Sequence, residues 1–308
     1  MQSTSHIRTV ECTTADEFLD RISPRSEFFY DFGPEAFMFR GHSDSRFQLI
    51  PSALRLRTLI RTPRGWRPVE SWSNHDQVDA EREIVRRFFQ RADAAGLSLP
   101  EDSQALRSHI LEEPIAVHEW PSRQVLSLLG LAQHHGVPTR LLDWSRSATK
   151  AAYFAAREAA LWHWGEADPP VGVSHLGLWA YSLIAGFIAR EMSGVFAPED
   201  RVVLVTAPAA GNSNLHAQQG VFSLYRPAHI EATEPVDRRP LDVVIAERPS
   251  AQMLLHFTLP VAQAPVLLRL LAKEGVSGAS LFPGYAGVAK GMLEERYWRT
   301  RSGASPHP

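Results

Sequence analysis

Gly136-Val137-Pro138-Thr139-Arg140-Leu141-Leu142-Asp143-Trp144-Ser145 is the stretch on which the fold turns. Glycine and proline stop the apolar run Gln124 to His134, which reads as a helix, and the chain restarts as a short strand, Thr139 to Asp143. A hundred residues earlier, Ala36 to Arg40 is a second short strand that ends in Phe39-Arg40-Gly41-His42. A strand fixes which face a side chain takes, so Arg40, Arg140 and Asp143 are candidates for an inward-aimed polar site. Buried arginine and aspartate are costly unless paired or bound to ligand. A structural ion pair of Arg40 with Asp44 or Asp143 is the plainer alternative. Asp143 is not needed as a helix cap, because Ser145 and Ser147 already stand before the next helix.

Outward from this block the chain alternates short elements. Helices are expected over Thr13 to Ile22, with Thr14 as cap, Asp79 to Ala94, the alanine-rich Ser147 to Ala160, and Pro265 to Glu274. Strands are expected over Gly177 to Ser182, Val202 to Thr206, Val221 to Leu224 and Met253 to Leu259, with Phe47 to Pro51 a further candidate. Helices gather in the first half and strands in the second, which favours α+β over an alternating parallel sheet. Residues 1–298 read as one domain, and 299–308 as a disordered tail.

Composition narrows the function classes. With 308 residues, 44% hydrophobic and 21% charged, the chain is of ordinary globular type. No apolar run approaches the roughly 20 residues that span a bilayer, and Met1 to Val10 has no secretory-signal pattern, so a cytoplasmic protein without membrane contact is expected. One cysteine, Cys12, excludes an internal disulfide and a cysteine-based metal site. The net charge of −2 provides no global field for nucleic acid. Of the 32 cations, lysine occurs only at 150, 273 and 290, leaving forked arginine donors suited to phosphate and carboxylate. Phosphate-loop, dinucleotide-fold and serine-elbow motifs are missing. His134 and His135 are adjacent and project in different directions, so no metal is expected. Arg55, Arg57, Arg61, Arg64 and Trp66 could grip a phosphodiester backbone, against the plainer reading of a solvated arginine-rich loop.

These residues resemble a known family. Phe39-Arg40-Gly41-His42-Ser43 is similar to the signature that names FRG domains, and Gln133 through Trp144, followed by Ala151-Ala152-Tyr153-Phe154-Ala155, is similar to their central block. Ala217-Gln218-Gln219-Gly220-Val221-Phe222 and Leu281-Phe282-Pro283-Gly284 resemble two later blocks. A weaker resemblance links the chain to bacterial ADP-ribosyltransferases. Arg40-Gly41 matches the Arg-Gly that ends their first strand. Asp143-Trp144-Ser145 stands where those enzymes have Ser-Thr-Ser, with Ala151 and Phe154 at the family's offsets.

That second resemblance implies an α+β domain with a split, mostly antiparallel sheet of ADP-ribosyltransferase type, two facing sheets forming a cleft and the N-terminal helices packed around it. It implies ADP-ribose transfer from NAD, as substrate rather than bound cofactor, to a nucleic acid or protein acceptor. Arg40 would clamp the phosphates with Arg140, and Asp143 would face the ribose. Gln219 would orient ribose or acceptor, while Gly41, His42, His134, His135, Ser145, Tyr153 and Gln218 would line the NAD pocket. The family's catalytic glutamate is replaced by Gln218-Gln219, so Asp143, Glu231 or Glu247 must supply the negative charge. A toxin or anti-phage effector, held by an antitoxin or phage trigger, is the implied role. A non-catalytic nucleotide- or nucleic-acid-binding module is the other reading. A nuclease using His42, His134 or His135 is the third.

Overall fold

A computed structural model of the chain describes residues 7–33, 35–55, 69–111, 116–184, 201–206, 213–227, 229–247 and 254–298. Seven strands form one sheet: β1 (Ile7–Glu11), β2 (Phe37–His42), β3 (Leu141–Ser145), β4 (His175–Ser182), β5 (Arg201–Val205), β6 (Gly220–Arg226) and β7 (Leu254–Pro260). Their order is β1-β7-β4-β2-β3-β6-β5. Only β1 and β7 run parallel, and every other neighbouring pair is antiparallel. The expected α+β class and mostly antiparallel sheet are present. The two facing sheets are corrected to one continuous sheet. Its halves are joined between β2 and β3 by a single residue pair, Phe39 with Ser145.

The expected strand over Phe47 to Pro51 does not form. Its main-chain groups find side-chain partners instead of a ladder: Leu49 N–H donates to Asp242 Oδ1 at 2.8 Å, and the Ile50 carbonyl accepts from Arg55 Nε at 3.1 Å. The segment runs on to Ser52, which exchanges bonds with Thr139 just ahead of β3. Thus the loop after β2 is tied across the junction to the start of β3.

Among the described residues the sheet is flanked by the helices α1 (Ala15–Ile22), α2 (Asn74–Ala94), α3 (Gln104–Leu111), α4 (Leu126–His134), α5 (Ala148–His163), α6 (Ser213–Ala217), α7 (Leu241–Ala246), α8 (Ala264–Lys273), α9 (Gly278–Leu281) and α10 (Tyr285–Glu294). Thr14 caps α1 as its sequence implies, Ser73 and Asp76 form a capping box on α2, and Ser147 caps α5. On one side of the sheet, α1, α5 and α8 bury Phe18, Leu268 and Phe257 with the β1-β7-β4-β2 half. A separate core under α2, α3 and α4 joins Phe89, Leu128 and Leu224 to the β3-β6-β5 half. A third core, with Leu241 and Ile245 of α7 against Met38, Trp144 and Tyr181, lies on the opposite face.

The alanine-rich pattern of α5 has a direct use. Ala151, Ala152, Ala155 and Ala156 are buried where the helix lies on β2 and β4. At Gly41 the approach is so close that a Cβ would sit 2.0 Å from the Ala151 carbonyl oxygen. Both partners are backbone, so neither can swing aside. Gly41→Ala is therefore expected to destabilise the fold by about 1–3 kcal/mol, as overpacking does. Urea unfolding at neutral pH checks this, and a wild-type midpoint would refute it.

Candidate functional site

Beyond the Phe39–Ser145 pair, β2 and β3 part, and Arg40 fills the gap. Its Nη1 donates to the Asp143 main-chain carbonyl at 2.6 Å and lies 2.7 Å from the Asp143 carboxylate. The Arg40 side chain is 13% exposed and that of Asp143 63%, so the pair has a buried and an open end. Arg40 Nε donates to His42 Nε2 at 2.9 Å, and the other ring nitrogen, Nδ1–H, donates to the Phe47 carbonyl at 3.0 Å. Those two bonds require a neutral ring carrying its proton on Nδ1. On the far side, Gln133 Nε2 donates to Asp143 Oδ1 at 3.0 Å, and Gln133 Oε1 accepts from the Thr139 hydroxyl. The end of α4 and the start of β3 thereby hold the carboxylate that Arg40 meets.

Electrostatics follow the geometry. Burial and then the Arg40 charge push His42 down to about 3. Desolvation raises the Asp143 carboxyl, but the charge and hydrogen bond of Arg40 outweigh it and leave it below its ordinary value. Arg55 stands near enough to feel both partners: desolvation and the Arg40 charge lower it, and Asp143 opposes them. Arg55 is thus brought beside Arg40 and Asp143, whereas Arg57, Arg61, Arg64 and Trp66 lie outside the described residues.

The loop before β6 borders the junction. Ser145 Oγ donates to the Gln218 carbonyl at 2.7 Å and accepts from Ser147 N–H at 3.0 Å. Gln219 adopts φ of +50°, its carbonyl accepts from Arg146 N–H, and its side chain is exposed. The left-handed backbone of a non-glycine residue is uncommon, and here it turns the chain into β6. Asn214 of α6 donates to His134 Nε2 at 3.0 Å. His135 is exposed, with its ring against Phe88.

Two expected residues are engaged elsewhere. Arg140 makes a two-pronged ion pair with Glu81 of α2, at 2.6 and 3.0 Å. Glu81 is buried, and Gln77 and the Trp120 indole also donate to it. Tyr153 is fully buried, and its hydroxyl donates to Glu294, which also takes Arg157 Nε and Gly278 N–H. Glu231 pairs with His229 and Glu247 with Arg239, all at the surface. Asp44 pairs with Arg46. Cys12 is buried, and desolvation pushes its thiol up to about 11.

Sequence reasoning gave no role to Gln133, Trp179 or His256. Gln133 is four residues before the turn at Val137 and so cannot avoid β3, a signal that was readable. Trp179 and His256 sit inside apolar strands and become neighbours of Arg40 only through strand register.

A seven-stranded, mostly antiparallel α+β sheet with an Arg–Asp pair at its narrow junction is the class that fold and site define. The family model described as the FRG domain matches residues 35–161, which run from just before β2 into α5 and contain Arg40, His42, Gln133 and Asp143. This part of the chain carries an FRG domain. No curated protein and no solved structure matches the chain. Among the described residues no group of three or more His, Cys, Asp or Glu side chains is placed to hold a metal ion. No described helix is long and apolar enough to cross a membrane.

The His42 shift has a measurable consequence. The unfolded chain takes up this proton near pH 6.5, the folded chain only near 3. Stability is therefore whole above pH 6.5 and falls with pH below it, by at most about 1.4 kcal/mol per unit for one proton. Asp143, depressed in the fold, adds to the loss at the acid end. His42→Gln keeps an acceptor for Arg40 and is expected to flatten the slope of unfolding free energy between pH 6 and 4. An unchanged slope in urea titrations at those pH values would show that His42 is not the group concerned.

Proposed function

We propose that the chain is an NAD-dependent ADP-ribosyltransferase that moves ADP-ribose onto a macromolecular acceptor. One observation carries the reading: Arg40 and Asp143 face each other at the point where the mostly antiparallel sheet nearly divides. The resemblance of Arg40-Gly41 and of the Asp143 block to the transferase pattern adds to it.

In this mechanism the NAD diphosphate exchanges with Asp143 for the Arg40 guanidinium, a fork suited to paired phosphoryl oxygens. His42 keeps Arg40 aimed throughout, because it accepts from Nε and does not occupy the outer nitrogens that exchange Asp143 for the ligand. Arg55 supplies a second cation. The Asp143 carboxylate, released from Arg40 but still bonded to Gln133, faces the anomeric carbon. As the bond from that carbon to the nicotinamide nitrogen breaks, its electron pair leaves with neutral nicotinamide. The ribose becomes oxocarbenium-like, and a fixed carboxylate stabilises that charge. An acceptor oxygen or nitrogen then bonds the carbon and loses its proton. Gln219, exposed in the loop before β6, orients the ribose or the acceptor in this reading and carries no charge to stabilise the cation.

A binding module without catalysis is the second reading, in which the Arg40–Asp143 contact is a structural ion pair. Nuclease chemistry draws no support from His42, whose two ring nitrogens are both engaged.

Purified protein is incubated with labelled NAD, alone and with DNA, RNA or lysate, while nicotinamide release and ADP-ribose incorporation are followed. Asp143→Asn is expected to lower turnover by about 10²–10³-fold, the usual scale for one charge-stabilising group. Arg40→Ala is expected to raise the KM for NAD. No turnover by the wild type with any acceptor sinks the transferase reading, and turnover indifferent to both variants sinks the assignment of the site.

A further inference from the structure

On the face of the sheet that carries Arg40, three side chains stand in one row on neighbouring strands. They are Arg40 on β2, Trp179 on β4 and His256 on β7, paired in register. Strands about 4.8 Å apart put roughly 10 Å between the ends of that row. The His256 ring lies flat on the Trp179 indole, with centroids 3.9 Å apart and planes 10° apart. The two residues are only 8% and 6% exposed, yet His256 Nε2 and Trp179 Nε1 have no hydrogen-bond partner among the described residues. Buried polar atoms are ordinarily paired.

Gly177, the next residue of this face on β4, is opposed by His42 on one side and Thr258 on the other. A Cβ there would lie 2.6 Å from His256 Nε2 and 3.0 Å from Ser45 Cα. Glycine therefore makes the room in which this nitrogen sits. His42, which holds Arg40, is close enough to feel the His256 charge.

We propose that Trp179 Nε1, His256 Nε2 and Arg40 form one binding subsite for a diphosphate. The indole N–H and the guanidinium can only donate, so the missing group is an acceptor, and the charge of Arg40 favours an anionic one. Neutral imidazole offers Nε2–H when its other nitrogen is bare. Three donors from three neighbouring strands suit two linked phosphoryl groups better than one carboxylate. Burial holds His256 down to about 4, so a bound anion must raise it. The subsite rests on the reading of Arg40 as a phosphate-holding side chain, and is independent of whether NAD is cleaved.

The full chain is titrated with inorganic pyrophosphate and with ADP-ribose while the imidazole and indole N–H signals are followed by NMR, assigned through His256→Phe and Trp179→Phe. Thermal melts establish that both variants fold. If either does not, the wild-type signals and the pH titration of its imidazoles decide. ADP-ribose is expected to move both signals and raise the His256 titration, and each variant to weaken binding at least tenfold. Signals unmoved by either probe, or variants that bind ADP-ribose like the wild type, overturn the subsite even if NAD is cleaved. Signals moved by pyrophosphate, with no nicotinamide ever released from NAD, keep the subsite and remove the transferase reading.

Discussion

Past the Phe39–Ser145 pair, the two halves of the sheet separate, and the Arg40 guanidinium takes over the bonding that a ladder would have supplied. An arginine in that position must be fully matched, since an unpaired buried charge is far costlier than an unpaired amide. The match comes from three groups on two strands: a carbonyl and carboxylate of β3, and a ring from the end of β2 itself. Because Arg40 Nη1 binds both Asp143 groups, the junction is held by an exchangeable contact rather than by packing alone.

The residues around this contact divide into those that hold and those that are held. His42 is driven neutral by its surroundings and so acts as an acceptor, a role a charged ring could not fill. Gln133 spans Thr139 and Asp143, converting the turn between α4 and β3 into a fixed distance. Gly41 lets α5 lie directly on β2, which sets the depth at which Arg40 emerges. Other residues of the quoted blocks serve the fold around it: Gly41 by close approach, Arg140 by pairing with buried Glu81, Tyr153 by its bond to Glu294.

Most elements were readable in kind and place because periodicity and punctuation report local geometry, while ends moved: β2 and β3 run two residues past Arg40 and Asp143, and α2 starts at Asn74 rather than Asp79. The Thr14 and Ser147 caps, the glycine–proline stop after α4 and the alanine helix all fall where such signals put them. The Phe47–Pro51 segment has the apolar run of a strand, yet its Leu49 amide is bonded to Asp242 and its Ile50 amide to the Gln48 carbonyl. Strand β1, polar and at the sheet edge, was invisible because its parallel partner β7 comes from the opposite end of the chain.

By itself the sequence determined that Arg40 and Asp143 belong to short apolar strands, although β2 and β3 run two residues past them, that position 41 is glycine, and that residues 35–161 carry the FRG pattern. Only the tertiary structure decided partners. It chose Asp143 over Asp44 for Arg40, sent Arg140 to Glu81, and set Trp179 and His256 in a row with Arg40. The physical reason is register. A side chain's face is a property of its own strand, but its neighbour depends on how strands far apart in sequence align, and one residue of slip would exchange every partner.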